Sequence, residues 1–229
     1  MSADRDFARE LYPFLYAPVA GASDPVTALL DSVRSSTLAK CAEVIALRAE
    51  LISEYEEQLG CAADAMADRF ANGGKLIAFG NGGSATDGDD AVIDCMSPPH
   101  AEWRALPALS LTSGSATITA LANDVGLESV FARQIGAIGE RSDIALGIST
   151  SGNSGNVVAA FAEAKRRGML TVALTGYDGG AIGRSGAVDF CFVARREFVP
   201  RIQEGHATLW HALLELVQQA LASRAGDDA

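Results

Sequence analysis

Short apolar segments alternate with helix-forming segments through the middle of the chain, and this alternation restricts the fold more than any other feature. The segments are KLIAFG (75–80), ALPALSL (105–111), DIALGIS (143–149), LTVALTG (170–176) and AVDFCFV (187–193). Strands that alternate with helices form βαβ units, and such units build a parallel sheet covered by helices on both faces. The sequence therefore predicts an α/β fold with a five-stranded parallel sheet.

The 229 residues are expected to form a single domain, since this length suits one large domain. We expect an N-terminal arm over residues 1–25, N-terminal helices over 26–71 with the second from Leu51 to Phe70, an α/β core over 72–200, and a C-terminal helix and tail over 201–229. Long apolar helices at both ends of the core predict packing between subunits.

The formal net charge of −11 argues against two classes of function. Nucleic-acid and anionic-membrane surfaces both need clustered Lys and Arg. The N-terminus MSADRDFARE lacks the basic and apolar segments of a signal peptide. The uncharged stretch 105–123 is interrupted by Pro107 and Gly114, so it is interpreted as a strand and loop rather than a membrane span. We therefore expect a cytoplasmic protein that binds neither nucleic acid nor a membrane.

The segment GNGGSATD (80–87) follows the first predicted strand and opens a helix. Glycine lets the backbone turn sharply and approach a ligand closely, and Ser84 with Asp87 has the spacing of a capping box. The loose dinucleotide pattern GxGxxA also fits, but a nicotinamide site needs an acid at the end of the next strand, which ends in LTS (111–113) instead. A polar-ligand site and a purely structural turn both remain open.

The segment STSGNS (149–154) also lies between a strand and a helix, and it is rich in hydroxyl groups. The first N–H groups of the following helix lack intrahelical partners and carry the positive end of the helix dipole. Together these groups predict a phosphate cradle made of neutral donors. Neither a P-loop nor a GxSxG nucleophile motif is present. An ordinary serine-rich turn with a helix cap is the alternative.

Five motifs that follow one another along the chain resemble the phosphoheptose isomerases of the sugar-isomerase (SIS) fold. They are GNGGSATD, ITALANDVGLESVFARQI (118–135), STSGNSGNV, ALTGYDGG and RIQEGH, and the resemblance covers residues 35–220 or so. It implies a three-layer SIS sandwich flanked by long terminal helices, a homotetramer with active sites shared between subunits, and zinc in the site. The reaction it implies is the aldose–ketose interconversion of sedoheptulose 7-phosphate and a heptose 7-phosphate.

The resemblance also implies roles for particular side chains. The phosphate would be held by Ser149, Thr150, Ser151 and Ser154. The substrate would also be contacted by Asn81, Gly82, Ser84, Asp124 and Gln203. A divalent metal, zinc by resemblance, would be bound by Asp90, Asp94, Gln203 and His211. Asp94 would act as the base that removes the proton beside the carbonyl, and His211 as the acid that protonates the carbonyl oxygen.

The helix after the first loop departs from the family pattern, because Asp90 and Asp94 stand where the family usually has His and Glu. Pro200 likewise stands where the family tends to an Asp. We expect Asp87, Asp90 and Asp94 on one helix face, with Asp90 and Asp94 buried among apolar neighbours; a cation, an arginine or a shared proton would offset their repulsion. A solvated acidic face is the alternative. This harder ligand set brings manganese or another divalent ion into consideration, with His206 as a substitute ligand.

Two functions remain open on the sequence alone. The first is an isomerase that works through an enediol. The second is a non-catalytic SIS protein that binds a sugar phosphate and regulates or scaffolds a partner. Its motive is the same pair of substitutions, Asp90 and Asp94. Both functions need the phosphate loop, so the loop does not distinguish between them. The distinction depends on Asp90 and Asp94 of the acidic helix.

Overall fold

The computed structural model describes residues 25–227, with side chains for residues 26–224. The predicted N-terminal arm before Pro25 and the end of the predicted tail lie outside the described residues. The chain divides into two compact units, Met1–Ala46 and Leu47–Ala229. The sheet, the hydrophobic cores and the candidate site all belong to the second unit. The single domain over the whole chain stays a prediction.

Helix α1 spans Pro25–Ala71, where two helices were predicted over 26–71. The prediction of two helices was wrong because the chain has no proline or glycine between Pro25 and Gly60 to end a helix there. In the first unit, most described apolar side chains of this helix are exposed; Leu30 and Ile45 are 62% and 69% exposed. Among the described residues of this unit, these side chains therefore form no hydrophobic core.

The sheet confirms the prediction of five parallel strands. The strands are β1 (Leu76–Gly80), β2 (Ala108–Ser110), β3 (Ile144–Ser149), β4 (Leu170–Gly176) and β5 (Phe190–Ala194). All neighbours pair in parallel, in the order β2-β1-β3-β4-β5. The order changes direction between β1 and β3, and ligands of open parallel sheets bind outside the carboxyl ends of the strands at such a switch point.

Among the described residues, six further helices complete the fold. They are α2 (Gly83–Met96), α3 (Ser115–Val125), α4 (Val130–Ile138), α5 (Gly155–Arg166), α6 (Gly180–Arg184) and α7 (Val199–Asp227), and a 3₁₀ turn covers Leu127–Ser129. Within residues 25–227, no helix combines the length and the apolar content that a bilayer crossing requires.

Alternate strand residues point to opposite faces of the sheet, so two hydrophobic cores form. Leu76 and Ala78 of β1 join one core with α2, with α7 and with the second-unit part of α1. Ile77 and Phe79 join the other core with α4 and α5. This arrangement confirms the predicted α/β sandwich with long helices at its ends.

Strand β2 is shorter than the apolar run that predicted it, and it keeps only three residues of 105–111. Pro107 has no N–H to give to the sheet. The N–H of Leu106 bonds instead to the carbonyl oxygen of Cys95 at 2.8 Å, near the end of α2. The first residues of the run therefore connect α2 to β2 at the edge of the sheet.

Candidate functional site

The first polar loop follows β1 at the switch point of the sheet. Gly82 has a φ of +55°, a left-handed conformation that glycine adopts at little cost. Helix α2 begins directly afterwards at Gly83, and no side chain caps it. The predicted capping box of Ser84 and Asp87 was wrong, because Gly82 rather than Ser84 occupies the cap position. Ser84 is buried instead, at 5% exposure.

The second polar loop follows β3 and gathers hydroxyl groups in front of α5. The Oγ atoms of Ser149 and Ser154 share a hydrogen bond at 3.0 Å. Ser149 is buried, and Thr150, Ser151 and Ser154 are half-buried. Helix α5 begins at the next residue, Gly155, so its unpaired N–H groups adjoin the hydroxyls. This is the arrangement that a neutral phosphate cradle requires.

The loop after β4, YDG (177–179), fixes the shape of the serine-rich loop. Gly152 has a φ of +64°, and a Cβ there would lie 2.2 Å from the carbonyl oxygen of Gly179. The contact leaves no room for a side chain. Tyr177, with a φ of +51°, is the one non-glycine residue of the described chain with a positive φ. Such residues cost about 1–3 kcal/mol and cluster at functional sites.

Asn81 and Asn156 join the two polar loops. Nδ2 of Asn81 donates to Oδ1 of Asn156 at 2.8 Å, and Nδ2 of Asn156 donates to Oδ1 of Asn81 at 2.9 Å. Asn156 is buried in the first turn of α5, at 5% exposure. The sequence analysis assigned Asn81 to the substrate and missed Asn156. The sequence feature that could have indicated Asn156 is its position two residues after Ser154, at the start of the helix that follows the phosphate loop.

Helix α2 carries Asp87, Asp90 and Asp94, the three carboxylates that the sequence predicted on one helix face. Asp87 and Asp94 are half-buried, whereas Asp90 is exposed. The expected burial of Asp90 was wrong, because α2 packs on the sheet through a different side. The buried residues of that side are Ser84, Gly88, Ala91 and Cys95.

Helix α7 lines the opposite wall of the site. Gln203, His206 and Trp210 recur at i, i+3 and i+7, which places them on one helix face. A cavity of about 110 Å³ lies between this face, α2 and the ends of β3 and β4. Its lining residues are Asp87, Asp90, Ile148, Leu174, His206, Ala207, Trp210 and His211. Carboxylates and imidazoles over an apolar floor suit a small polar ligand.

Asp94 contacts two neighbouring residues of α7. Nε1 of Trp210 donates a hydrogen bond to Oδ2 of Asp94 at 3.0 Å. Nε2 of His211 lies 3.7 Å from the same oxygen, and the side chains of His211 and Asp94 are 68% and 26% exposed. The two residues assigned as base and acid therefore lie side by side, open to the outside of the single chain. The sequence analysis missed Trp210, whose signal was its helical spacing from Gln203.

Gln203 is held against α2 by Asp87, a residue to which the sequence analysis gave no role in ligand binding. Nε2 of Gln203 lies 3.5 and 3.3 Å from the two carboxylate oxygens of Asp87. A Cβ on Gly83 would lie 2.4 Å from the same nitrogen, so the amide lies directly over the start of α2. Burial raises the pKa of Asp87; the hydrogen bond from Gln203 opposes this, and the charge of Asp90 adds to it.

His206 anchors α7 to the sheet. Its exposure is 1%, and Nε2 lies 2.9 Å from the carbonyl oxygen of Thr175 at the end of β4. A carbonyl only accepts, so Nε2 carries the proton. Burial lowers the pKa of His206 to about 4, so the ring is neutral at neutral pH. Nδ1 has no hydrogen-bond partner among the described residues.

The four residues assigned to a metal do not converge in the single chain. Asp94 and His211 are neighbours, and Asp90 lines the same cavity as His211, but the amide of Gln203 is bonded to Asp87. Within the described part of the chain, no three carboxylate, imidazole or thiolate groups are placed to hold an ion. The donor chemistry suits a divalent cation, whereas this arrangement of the side chains does not fit one.

Asp124 is the assigned substrate residue that lies apart from the others. It is exposed near the end of α3, where its Oδ1 accepts a hydrogen bond from Asn123 at 3.0 Å. It is not among the residues that line the cavity. Its contact with the sugar stays a prediction.

Comparison with known proteins places the chain among its relatives. Residues 41–176 match the family model of the SIS domain. The chain is 37% identical to a phosphoheptose isomerase of Geobacter sp. (strain M21) over 193 residues, which cover 84% of this chain and 97% of that protein. It is 45% identical to a phosphoheptose isomerase of Pelobacter propionicus over 156 residues, 68% of this chain and 82% of that protein.

A solved structure is similar over nearly the same length. The phosphoheptose isomerase GmhA from Neisseria gonorrhoeae superimposes with a TM-score of 0.74 at 34% identity, over 82% of this chain and 99% of that chain. Sequence and structure therefore agree on one set of relatives.

Proposed function

Because the chain belongs to the phosphoheptose isomerase family of SIS-domain proteins, we propose that it interconverts sedoheptulose 7-phosphate and a heptose 7-phosphate. The observation that best supports this reaction is the 3.7 Å approach of His211 to Asp94. An aldose–ketose isomerisation needs a base for a C–H proton and an acid for the carbonyl oxygen. These two side chains supply both at one place.

The proposed reaction moves protons and forms no bond to the protein. The phosphate would be held by the hydroxyls of Ser149, Thr150, Ser151 and Ser154 and by the first N–H groups of α5. Oδ1 of Asp94 would take the proton from the carbon beside the carbonyl, and His211 would give a proton to the carbonyl oxygen. The product of this step is the enediol. Asp94 would then return its proton to the former carbonyl carbon while His211 takes the proton of the neighbouring hydroxyl, which becomes the new carbonyl.

A divalent cation at Asp90, Asp94, Gln203 and His211 is a separate proposal. It is supported by the donor set, which is suited to a divalent ion, and by the resemblance, which favours zinc over manganese. Convergence would require Gln203 to leave Asp87 and Asp94 to turn from Trp210, so no step of the reaction is derived through the ion. Metal content is the property that tests it.

A homotetramer is also proposed, with subunits that complete each other's sites. Its support is apolar surface beside the site: Ile93 and Met96 of α2 are 58% and 59% exposed. A partner that covered them would also shield Asp94, which lies between them in sequence. Light scattering should give the mass of four chains, and a monomer at micromolar concentration would contradict the proposal.

The cytoplasm is the proposed compartment. Its support is the substrate, because a charged sugar phosphate does not cross a membrane unaided. Cell fractionation tests it, and recovery of the protein outside the cytoplasmic fraction would contradict it.

The alternative function is binding of a sugar phosphate without conversion, in the service of regulation or scaffolding. The exposure of Asp90 and the lack of a converged ion site within the described residues favour it. Incubation with sedoheptulose 7-phosphate, with and without added zinc or manganese, separates the two when NMR follows the sugar. Appearance of the aldose supports the isomerase, whereas binding without any product supports the alternative.

A further inference from the structure

The indole of Trp210 makes its hydrogen bond to the proposed base. Nε1–H donates to Oδ2 of Asp94 at 3.0 Å. An indole has one donor and no acceptor, so it can orient a carboxylate but cannot exchange a proton with a substrate. Trp210 is 4% exposed and belongs to the hydrophobic core on the α7 side of the sheet. The donor is thus held in a fixed position.

This hydrogen bond makes the two oxygens of Asp94 different. Oδ2 accepts the indole N–H and faces His211. Within the described residues, Oδ1 accepts no hydrogen bond. Asp94 is 26% exposed, so its carboxylate has room to rotate once the indole contact is removed. With the contact in place, one oxygen is fixed and the other is directed away from Trp210 with free lone pairs.

We propose that Trp210 is the positioning residue for Asp94 and that its N–H sets the direction of the oxygen that takes the proton. The proposal rests on the proposed function, in which Asp94 is the base. Trp210 also forms part of the cavity wall with Ile148 and Leu174. Since misplacement of a reacting group by about 1 Å can cost 100-fold in rate, loss of the N–H should act on turnover rather than on binding.

The chain contains two tryptophans, which provides a matched control. Trp103 is half-buried and contacts the ring of His100, with ring centroids 4.6 Å apart, outside the cavity. Trp210→Phe keeps an aromatic ring and removes the N–H, and Trp103→Phe does the same at the control position. We expect Trp210→Phe to lower kcat between about 10- and 100-fold while KM changes less than about threefold. Trp103→Phe should leave both values near those of the wild type.

A spectroscopic measurement reports on the contact itself. In Trp103→Phe the single indole N–H resonance belongs to Trp210. A hydrogen bond to a carboxylate should shift this resonance, and the double variant Trp103→Phe/Asp94→Ala, which has no acceptor at this position, should move it. This readout remains decisive if Trp210→Phe does not fold. An indole resonance unchanged by Asp94→Ala would overturn the proposal.

The activity results separate this proposal from the function on which it rests. A wild type that converts no heptose phosphate contradicts the proposed function and the positioning role together. An active wild type with unchanged kcat in Trp210→Phe contradicts the positioning role alone. A folded Trp210→Phe protein that loses activity only through a higher KM would also contradict it, because the residue would then act on binding.

Discussion

Asn81 and Asn156 exchange two side-chain hydrogen bonds, 2.8 and 2.9 Å long, between the loop that follows β1 and the first turn of α5, which follows the loop after β3. These strands are neighbours at the switch point of the sheet. Each amide uses one N–H and its oxygen in the pair and keeps a second N–H for a ligand. The pair therefore fixes the relative position of the two loops before a substrate arrives.

Replacing Asn156 with Ala should destabilise the protein and weaken substrate binding together. The change removes both hydrogen bonds, so we expect the free energy of unfolding to fall by about 1–3 kcal/mol. Denaturant unfolding and calorimetry with the sugar phosphate measure the two effects. Asn72→Ala is the control, since among the described residues the exposed Asn72 side chain bonds only to the backbone of Asp68. A loss of stability with unchanged affinity would mean that the pair does not position the loops.

Replacing both Ser149 and Ser151 with Ala should weaken sugar-phosphate binding. We expect a loss of about 1–2 kcal/mol for each hydrogen bond to a charged group. Calorimetry checks this, with Ser223→Ala as the control. Within the described part of the chain, the side chain of Ser223 bonds only to the backbone of its own helix, at Gln219. Equal affinity of the double variant and the control would contradict the phosphate cradle.

The strands and the place of the site could be predicted because they depend on local patterns. The runs 143–149 and 170–176 predicted β3 and β4 almost to the residue, since a parallel strand buried on both faces is apolar throughout. The two polar loops were predicted to follow strands, and they lie at one edge of the sheet because the carboxyl ends of parallel strands share an edge.

Contacts between distant elements could not be predicted in this way. The bond from Trp210 to Asp94 joins residues far apart in sequence, and it depends on the seating of α7 against α2. The exposure of Asp90 depends on which side of α2 faces the sheet, and neighbouring apolar residues do not decide that side. Helical periodicity did place Gln203 and His206 on one face, but it carried no information about their partners.

The stability of the protein should fall as the pH is lowered below the usual pKa of histidine. Burial lowers the pKa of His206 from 6.5 to about 4, so the unfolded chain binds a proton below pH 6.5 that the folded protein does not take up until near pH 4. Because of this group, the free energy of unfolding should be roughly 2 kcal/mol lower at pH 5 than at pH 7. Denaturant unfolding at both pH values measures it.

Substitution of His206 isolates this contribution. His206→Gln should reduce the pH dependence by that amount, although it lowers stability at neutral pH. His100→Gln is the control, because His100 is exposed and its removal should leave the dependence in place. An identical pH dependence of stability in wild type and His206→Gln would show that the lowered pKa of His206 is not its cause.

Protein purified without a chelator should contain about one divalent ion per subunit if the metal proposal holds. Asp90→Asn should lower the occupancy because it removes a charged ligand. Asp89→Asn, which removes a carboxylate that accepts a hydrogen bond from Thr112 instead, should leave it unchanged. Elemental analysis measures all three proteins. A metal content near zero in the wild type, or one that Asp90→Asn does not change, would count against the ion.

Asp94→Asn tests the assignment of the base. Asn has nearly the same size and can still accept the indole hydrogen bond, but it cannot take up the proton. Affinity for the heptose phosphate should therefore stay within a few-fold of the wild type. Metal content has to be measured in the same variant, since Asp94 is also a proposed ligand. Asp89→Asn again serves as the control on the same helix.

Exchange of the substrate C–H hydrogen with deuterated water, followed by NMR, measures the proton transfer directly. The wild type and Asp89→Asn are predicted to exchange this hydrogen, and Asp94→Asn is predicted to abolish the exchange while it still binds the sugar. Exchange at the wild-type rate in Asp94→Asn would contradict Asp94 as the base. A wild type that binds the heptose phosphate but shows no exchange with any divalent metal would contradict the isomerase itself.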